Sequence, residues 1–514
     1  MDRRRIEMKN NICNRIIALV MSMIMMTFVF TSCADHPDPE ITTETPQANT
    51  QAPADETTSD PRYDSKGYLK DDIPADLNYG GKTINLLVWD DVEHEEFFIA
   101  YEELGGDIVD QSIYDRNAKV ESRLGVTLSF IRIKGNSENI SSWNSYVNNS
   151  VSTNAKEFDI LAGYSISIAK CASSGYLYNM LDKECEYLNF EQPWWSQLLL
   201  EQATFGDNLY FASGDISRNA LEMMYVCYVQ NGLLAQYNLQ NPQEVVPSGD
   251  WTYEKFIEMC KGVYKDDGDG AKNCTKESGD VFGYVTSRIH VDPWFYGSGA
   301  TICERNENGE IIESPSFTGE RVANTVDMLT ELLHKSNDGI FTSEVTHQDA
   351  FGQGRTLFMI ERARVSHNTL AKKYGNVTFS VVPCPKYDKD QEKYITVMGN
   401  PFTLYAIASD IGDPKMASAF IECFASEGYR QVTPAVFELS LKTRYVSDSV
   451  SGVMYDLIRE NVTYDVGRLF SDELIGQNNF RKAISDDQNW GSVAVQASKT
   501  LARQLVKLNQ ALNK

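Results

Sequence analysis

From residue 82 onward the apolar positions fall into alternating short runs and helical stripes. Lys82 to Trp89, KTINLLVW, is a near-continuous apolar run of the kind buried in a parallel sheet, and it ends on Trp89, Asp90 and Asp91. Ile113, Val120 and Leu124 then recur near a 3.6-residue period, with Gly125 as the stop signal, which predicts a helix. Val126 to Ile133 reads as the next strand. Phe158 to Ala162 reads as another, with Tyr164 and Ser165 opening the loop beyond it. This β-α-β-α-β alternation predicts an α/β protein with a parallel sheet, whose ligands gather at the C-terminal ends of the strands. Further along, Thr252 caps a predicted helix with Phe256, Ile257 and Cys260 on one face, and Asp413-Pro414 opens another carrying Ala417, Phe420, Ile421 and Phe424. Leu501, Leu505, Leu508 and Leu512 form a C-terminal stripe that reads as packing, not as a partner-recognition face. No repeat occurs at solenoid or propeller spacing.

The chain before residue 80 follows a different pattern. Residues 1–15 carry five cations, and Ile16 to Phe30 has no charge. That is an n-region and an h-region, too short for a comfortable membrane span. Its end, Phe30-Thr31-Ser32-Cys33, resembles the lipobox of bacterial lipoproteins, with Phe30 where leucine is usual. The resemblance implies removal of residues 1–32 and diacylation of Cys33, the two-chain anchor that stable membrane attachment requires. Residues 34 to about 62 are rich in proline, threonine and acids, so the expected organisation is a disordered stalk over 33–78 and a folded body from Tyr79.

Composition narrows the function classes. The formal charge is −25, and losing residues 1–32, with five cations and two anions, takes it to −28. So acidic a chain argues against nucleic acid and against a basic membrane-docking face. Ten cysteines occur, eight of them after Cys33, and none forms a CxxC pair. Zinc-ribbon and thioredoxin-type readings therefore fail, and the expectation is mostly free, buried thiols. FGQGRTLF lacks the third glycine and the preceding strand of a nucleotide fingerprint. YKDDGDGAKNC resembles a calcium loop around Asp267 and Asp269, but Lys265 and Lys276 stand where anionic ligands belong, so it reads as a surface turn. Neither a metal nor a cofactor is expected.

Several stretches, taken in order, resemble extracellular solute-binding proteins of the family-1 type, the maltose-binding-like receptors of ABC sugar importers. They are the strand ending in VWDD, EFDILAGYSISIAKCASSGYLYNM, FGDNLYFASGDISRNALEMMYVCYVQNGLLAQYNL, SGDWTYEKFIEMC, AFGQGRTLFMIERARV, and VVPCPKYD followed by ITVMGNPFTLYAIAS. The resemblance spans roughly residues 80–510. It implies a periplasmic-binding-protein-like fold of type II, two α/β lobes joined by several crossovers, which close on a ligand like a hinge. On that pattern lobe one is 79–212 plus 345–400, and lobe two is 213–344 plus 401–514. The crossovers fall near Ala212 to Gly214, Glu344 to Thr346 and Met398 to Thr403.

The resemblance also implies where a sugar is held: Trp89, Asp90 and Asp91 after the first strand, Tyr164 and Ser165 after the third, Asp215 and Arg218 past the first crossover, then His290, Asp292, Trp294, Arg364 and Asn400. Aromatic rings suit the apolar faces of a pyranose, and acids, amides and arginines suit its hydroxyls. Arg364 stands where maltose-type members carry an aromatic, which argues against maltodextrin and leaves room for an acidic sugar. Trp194-Trp195 reads as a packed helix start. The implied function is capture of a small solute, a mono- or oligosaccharide, and its delivery to ABC permease subunits by a receptor lipid-anchored on the outer face of a bacterial cytoplasmic membrane. The alternatives are a receptor that reports to a membrane histidine kinase, and a surface glycoside-processing enzyme, which would need a pair of catalytic carboxylates.

Overall fold

The structure is a computed structural model that describes residues 60–91, 96–375, 377–444 and 449–513. The expected signal segment, Cys33 and the first part of the expected stalk lie outside the described residues. Among the described residues no helix is long and apolar enough to cross a membrane.

Nine strands build two main sheets. They are β1 (Lys82–Trp89), β2 (Val126–Ile133), β3 (Ile160–Tyr164), β4 (Tyr225–Gln230), β5 (Phe282–Thr286), β6 (Gly339–Phe341), β7 (Thr356–Arg362), β8 (Phe379–Val382) and β9 (Thr403–Ile407). The first sheet has the order β9-β3-β1-β2. Its β1 runs parallel to β2, with Lys82 opposite Val126, and parallel to β3, with Leu86 opposite Ile160. Strand β9 closes the edge antiparallel, Thr403 opposite Tyr164. The second sheet has the order β6-β5-β7-β4-β8, with β4 antiparallel to both of its neighbours. Strands β3, β5 and β9 are buried along their whole length, as expected of sheets covered on both faces.

Helices cover the sheets where the sequence carries caps and stripes. Helix α1 (Ile108–Leu124) starts at Asp107, whose carboxylate accepts from the Val109 N–H, and stops at Gly125 in the left-handed region. A Cβ on residue 125 would also crowd the Asn78 side chain, which would have to shift. Helices α2 (Ile140–Thr153) and α3 (Ser165–Ser173) follow β2 and β3. Thr252 caps α4 (Tyr253–Cys260) through the Lys255 N–H at 3.3 Å. Next in the second half come α5 (Asp292–Gly297) and α6 (Glu344–Gly352). Asp413 caps α7 (Pro414–Glu427), which packs on α1. The C-terminal part contains α8 (Val466–Leu469), α9 (Gly476–Ser485) and α10 (Trp490–Leu512). The stripe Leu501, Leu505, Leu508 and Leu512 of α10 is buried in the core.

Sheet membership differs from the expected lobe division. Strands β7 and β8, placed by the sequence reading in lobe one, pair with β4 in the second sheet, and β9, placed in lobe two, pairs with β3 in the first. The cause is strand order: β9 returns to the first sheet only after the second is complete, and chain order does not reveal this. Glu344 to Thr346 begins α6 between two strands of the same sheet, so no crossover lies there. The chain instead passes between the sheets in two adjacent segments, which pair Ala212 with Tyr405 and Met224 with Met398.

The stalk boundary also moves. Tyr63 bridges Leu69, and Ile73 is buried. The Asp71 carboxylate accepts from Arg123 Nη1 at 2.7 Å, Arg430 Nη2 at 2.9 Å and Ser426 Oγ at 2.6 Å. Residues 61–78 therefore belong to the folded body, fastened by an acid that composition alone assigns to a solvated tail.

Candidate functional site

Strands of both sheets end around one cavity of about 670 Å³, within the size range of small-molecule sites. From the first sheet it receives Trp89 at the end of β1 and Asp91 just beyond it, Asn136 and Ser137 after β2, and Tyr164 at the end of β3. From the second sheet come Tyr225 at the start of β4, Arg288 after β5 and Arg362 at the end of β7. Asn400 and Pro401 on the returning crossover complete the floor, and Arg468, Asp472 and Arg481 come from α8, α9 and the segment between them.

The wall from the first sheet is aromatic. Trp89 and Tyr164 lie with ring centroids 5.4 Å apart, and the Trp89 indole donates from Nε1 to Thr403 Oγ1 at 3.1 Å. That bond ties the ring to β9 and fixes its face. Burial pushes the Tyr164 phenol up to about 12, so it stays a neutral donor at physiological pH. Ser165 does not line the cavity. Its Oγ donates to the Asn400 carbonyl at 2.7 Å, which holds the crossover that does.

The opposite wall is cationic and rests on two buried carboxylates. Asp292, fully buried, accepts from Arg468 Nη1 at 2.6 Å, from Arg481 Nε at 2.7 Å and from Gln477 Nε2 at 2.9 Å. Burial alone would raise its pKa, but the two guanidiniums outweigh burial and hold it below the usual carboxylate range. Glu361, also fully buried, accepts from Arg362 Nε at 2.9 Å and Gln348 Nε2 at 2.7 Å. His290 and His347 approach the same carboxylate, with their Nε2 atoms at 2.8 and 3.2 Å. Burial drives His290 down to about 4, so at neutral pH it is an uncharged imidazole, and Ser287 Oγ lies 2.7 Å from its Nδ1.

Of the sequence-derived candidates, Trp89, Asp91, Tyr164 and Asn400 line this cavity. The others do not, each for a visible reason. Asp90 is exposed, and its N–H continues the ladder to Ile133. Asp215 is buried against Arg459 (2.8 Å) and Thr433 (2.9 Å), beside a separate small pocket under Trp194 and Trp195. Arg218 pairs with Glu222 at 3.0 Å on the next helical turn. His290 and Asp292 lie behind the wall and hold it in place. Trp294 belongs to a core cluster: its ring is 4.8 Å from Tyr253 and 4.9 Å from Phe256, and its Nε1 donates to Tyr284 Oη. Arg364 is buried, its N–H donating to the Glu222 carbonyl, and is not among the cavity residues. The indoles of Trp194 and Trp195 donate to Glu422 at 3.1 Å each, a packed pair as the sequence suggests.

The cavity arginines were missed. Arg362 lies in AFGQGRTLFMIERARV, two residues before the arginine singled out there, Arg468 and Arg481 stand outside the stretches that carry the resemblance, and only the fold brings the three together. Asp266, Asp267, Asp269 and Asp280 do converge, but backbone N–H groups of their own loop occupy carboxylate oxygens of all four, such as Gly268 to Asp266 at 2.7 Å.

No family model matches the chain, and no curated protein matches it in sequence. Solved structures do. A cyclo/maltodextrin-binding protein complexed with maltotetraose aligns with a TM-score of 0.55, covering 83% of this chain and 98% of its own, at 10% identity. A sugar transporter from Rhizobium etli in an open conformation gives 0.56, covering 82% of this chain and 98% of its own, at 13% identity. The fold is periplasmic-binding-protein-like. An ABC substrate-binding protein from Listeria monocytogenes in complex with cycloalternan shares it at a TM-score of 0.52, covering 84% and 99%, with 12% identity. At such identities the likeness extends to the fold and not to single contact residues.

Proposed function

We propose that the protein is the solute receptor of an ABC importer, capturing a carbohydrate between its two lobes and passing it to a membrane permease. The observation that carries this reading is the position of the cavity. It lies at the ends of strands from both sheets, beside the paired crossovers, so a rotation about those two segments would open or close it around a solute. Support for a carbohydrate comes from the Trp89–Tyr164 wall, suited to a pyranose face, and from the sugars named with the solved structures of the same fold. Capture without bond cleavage is favoured. A glycosidase needs two carboxylates flanking the scissile bond. Among the described residues the cavity offers Asp91 and Asp472, and Asp472 is engaged by Lys170 at 3.2 Å. In this reading Cys33 is the lipid-bearing residue and tethers the receptor to the outer face of the cytoplasmic membrane.

The test is isothermal calorimetry and thermal melting of the full chain in detergent against mono- and oligosaccharides, with chromatography for products. A bound sugar at 100 times its Kd stabilises the native state by about 2.7 kcal/mol. Saturable binding with the sugar recovered intact supports the receptor. Steady product formation would replace it with the enzyme, and no binding across the panel would remove the carbohydrate.

A further inference from the structure

We infer that the captured solute carries a carboxylate, as in a uronic-acid-containing saccharide, and that Arg468 and Arg481 bind that group. The inference rests on the carbohydrate-capture reading and adds the charge of the ligand to it. The protein as a whole is strongly acidic, at −25, yet one wall of its cavity collects guanidiniums. Arg468 and Arg481 share a single carboxylate, Asp292, whose two oxygens are already saturated by four donors: Arg468, Arg481 twice, and Gln477. Two cations on one anion leave one positive charge over, in a setting where water is largely displaced and fields are poorly screened.

One neighbouring group offsets that excess and another restores it. Asp472, the cavity carboxylate on the same segment, shares Lys170 with Glu473, at 3.2 and 3.1 Å, so two acids there meet one cation. Arg288 is exposed, lines the same cavity and has no carboxylate partner among the described residues, so it adds a third cation. The geometry is also prepared for a planar anion. Asp292, the Met398 carbonyl at 2.9 Å and Asn478 Oδ1 at 3.3 Å fix both guanidiniums, and Arg468 keeps Nη2 uncommitted. A fixed, charged donor of this kind makes a stronger hydrogen bond to a carboxylate than to a hydroxyl. A neutral sugar would leave the like charges uncompensated, whereas an anion completes the pairing that Asp292 begins. The facing Trp89 and Tyr164 then account for the sugar ring that carries the acid.

The experiment is calorimetry of the full chain in detergent with digalacturonate and a glucuronate disaccharide, with their carboxyl-reduced neutral counterparts, and with glucose 6-phosphate and glucose 6-sulfate. The acidic disaccharides are expected to bind at least ~10-fold tighter than the reduced ones at low salt, with the gap narrowing as salt is added. Arg468→Met and Arg481→Met should each weaken the acid by roughly 10- to 100-fold and the neutral sugar by less than about 3-fold, as expected for losing a charge-assisted pair. Arg288→Ala, at an exposed position that does not threaten folding, should weaken the acid alone by about 3- to 10-fold. Neutral sugars binding as tightly as acidic ones would overturn the inference and leave the receptor reading standing. So would arginine variants with unchanged affinity for the acids. Preference for the phosphate or sulfate ester would overturn the carboxylate assignment, and failure of every sugar would overturn both readings.

Discussion

Asp71 offers a quantitative test of how the N-terminal arm is joined to the body. Its carboxylate is nearly buried between Arg123 and Arg430, with Ser426 as a further donor. Burial alone would push the pKa up, but these hydrogen bonds and charges outweigh it and bring the group from 3.8 down to about 2. At 1.36 kcal/mol per pKa unit this amounts to about 2.5 kcal/mol of native-state stability. The sign follows from linkage. The depressed carboxyl stabilises the fold at pH values above the unfolded pKa, and the contribution drains away as the pH falls from about 5 towards 2. Asp71→Asn keeps the shape and removes the charge, while Glu427 remains 2.9 Å from Arg430. The substitution should therefore cost about 2–3 kcal/mol at pH 7, which for a body of this size lowers Tm by only about 2–3 °C. Denaturant unfolding of both forms, repeated between pH 7 and pH 2.5, reads the difference directly. A gap that vanishes on acidification supports the clamp. A gap independent of pH, or no gap at pH 7, would refute it, and with it the claim that residues 61–78 are part of the fold.

Four further outcomes follow from the packing. Trp89→Ala and Trp294→Ala, both at fully buried rings, should each cost about 3–5 kcal/mol, but only Trp89→Ala should also weaken solute binding by the folded fraction; calorimetry beside unfolding curves separates the two. In an NMR pH titration the His290 imidazole should remain neutral at pH 5 and titrate near 4, because burial opposes its charging; a normal titration near 6.5 would contradict the buried cluster. The eight cysteines from Cys171 to Cys423 are all buried and free, so a thiol reagent should label none of them in the native state and all eight after denaturation. Gly214→Ala should distort the first crossover, because a Cβ there would collide with the Trp194 carbonyl, and a clear loss of stability in melting curves is expected.

Local structure was legible in the sequence wherever it is set by neighbouring residues. Strands β1 and β2 match the apolar runs end to end, and Gly125, Thr252 and Asp413 stop or cap the helices their types predict. The aromatic wall was legible too, because Trp89 and Tyr164 follow directly from strands whose ends face ligands in such folds. The cationic wall was not. Arg362 ends β7, Arg468 sits in the four-residue α8 and Arg481 in the ten-residue α9, and their common purpose appears only once Asp292 and Glu361 are seen beneath them. Sequence reasoning reached Asp292 and His290 but placed them at the solute instead of under the side chains that line the cavity. Trp294 misled for the opposite reason: a tryptophan after a proline reads equally as a platform or as a core residue, and only its neighbours decide.

The return of β9 bears on how the chain acquires its shape during synthesis. The second sheet has all five of its strands by Val382, within one uninterrupted stretch, so that half can consolidate as soon as it emerges. The first sheet, though begun earlier, leaves the edge of β3 bare until Thr403 to Ile407 arrive. The half made first is thus the half finished last, and its exposed strand edge is the point in the life of the chain most vulnerable to mispairing with another copy.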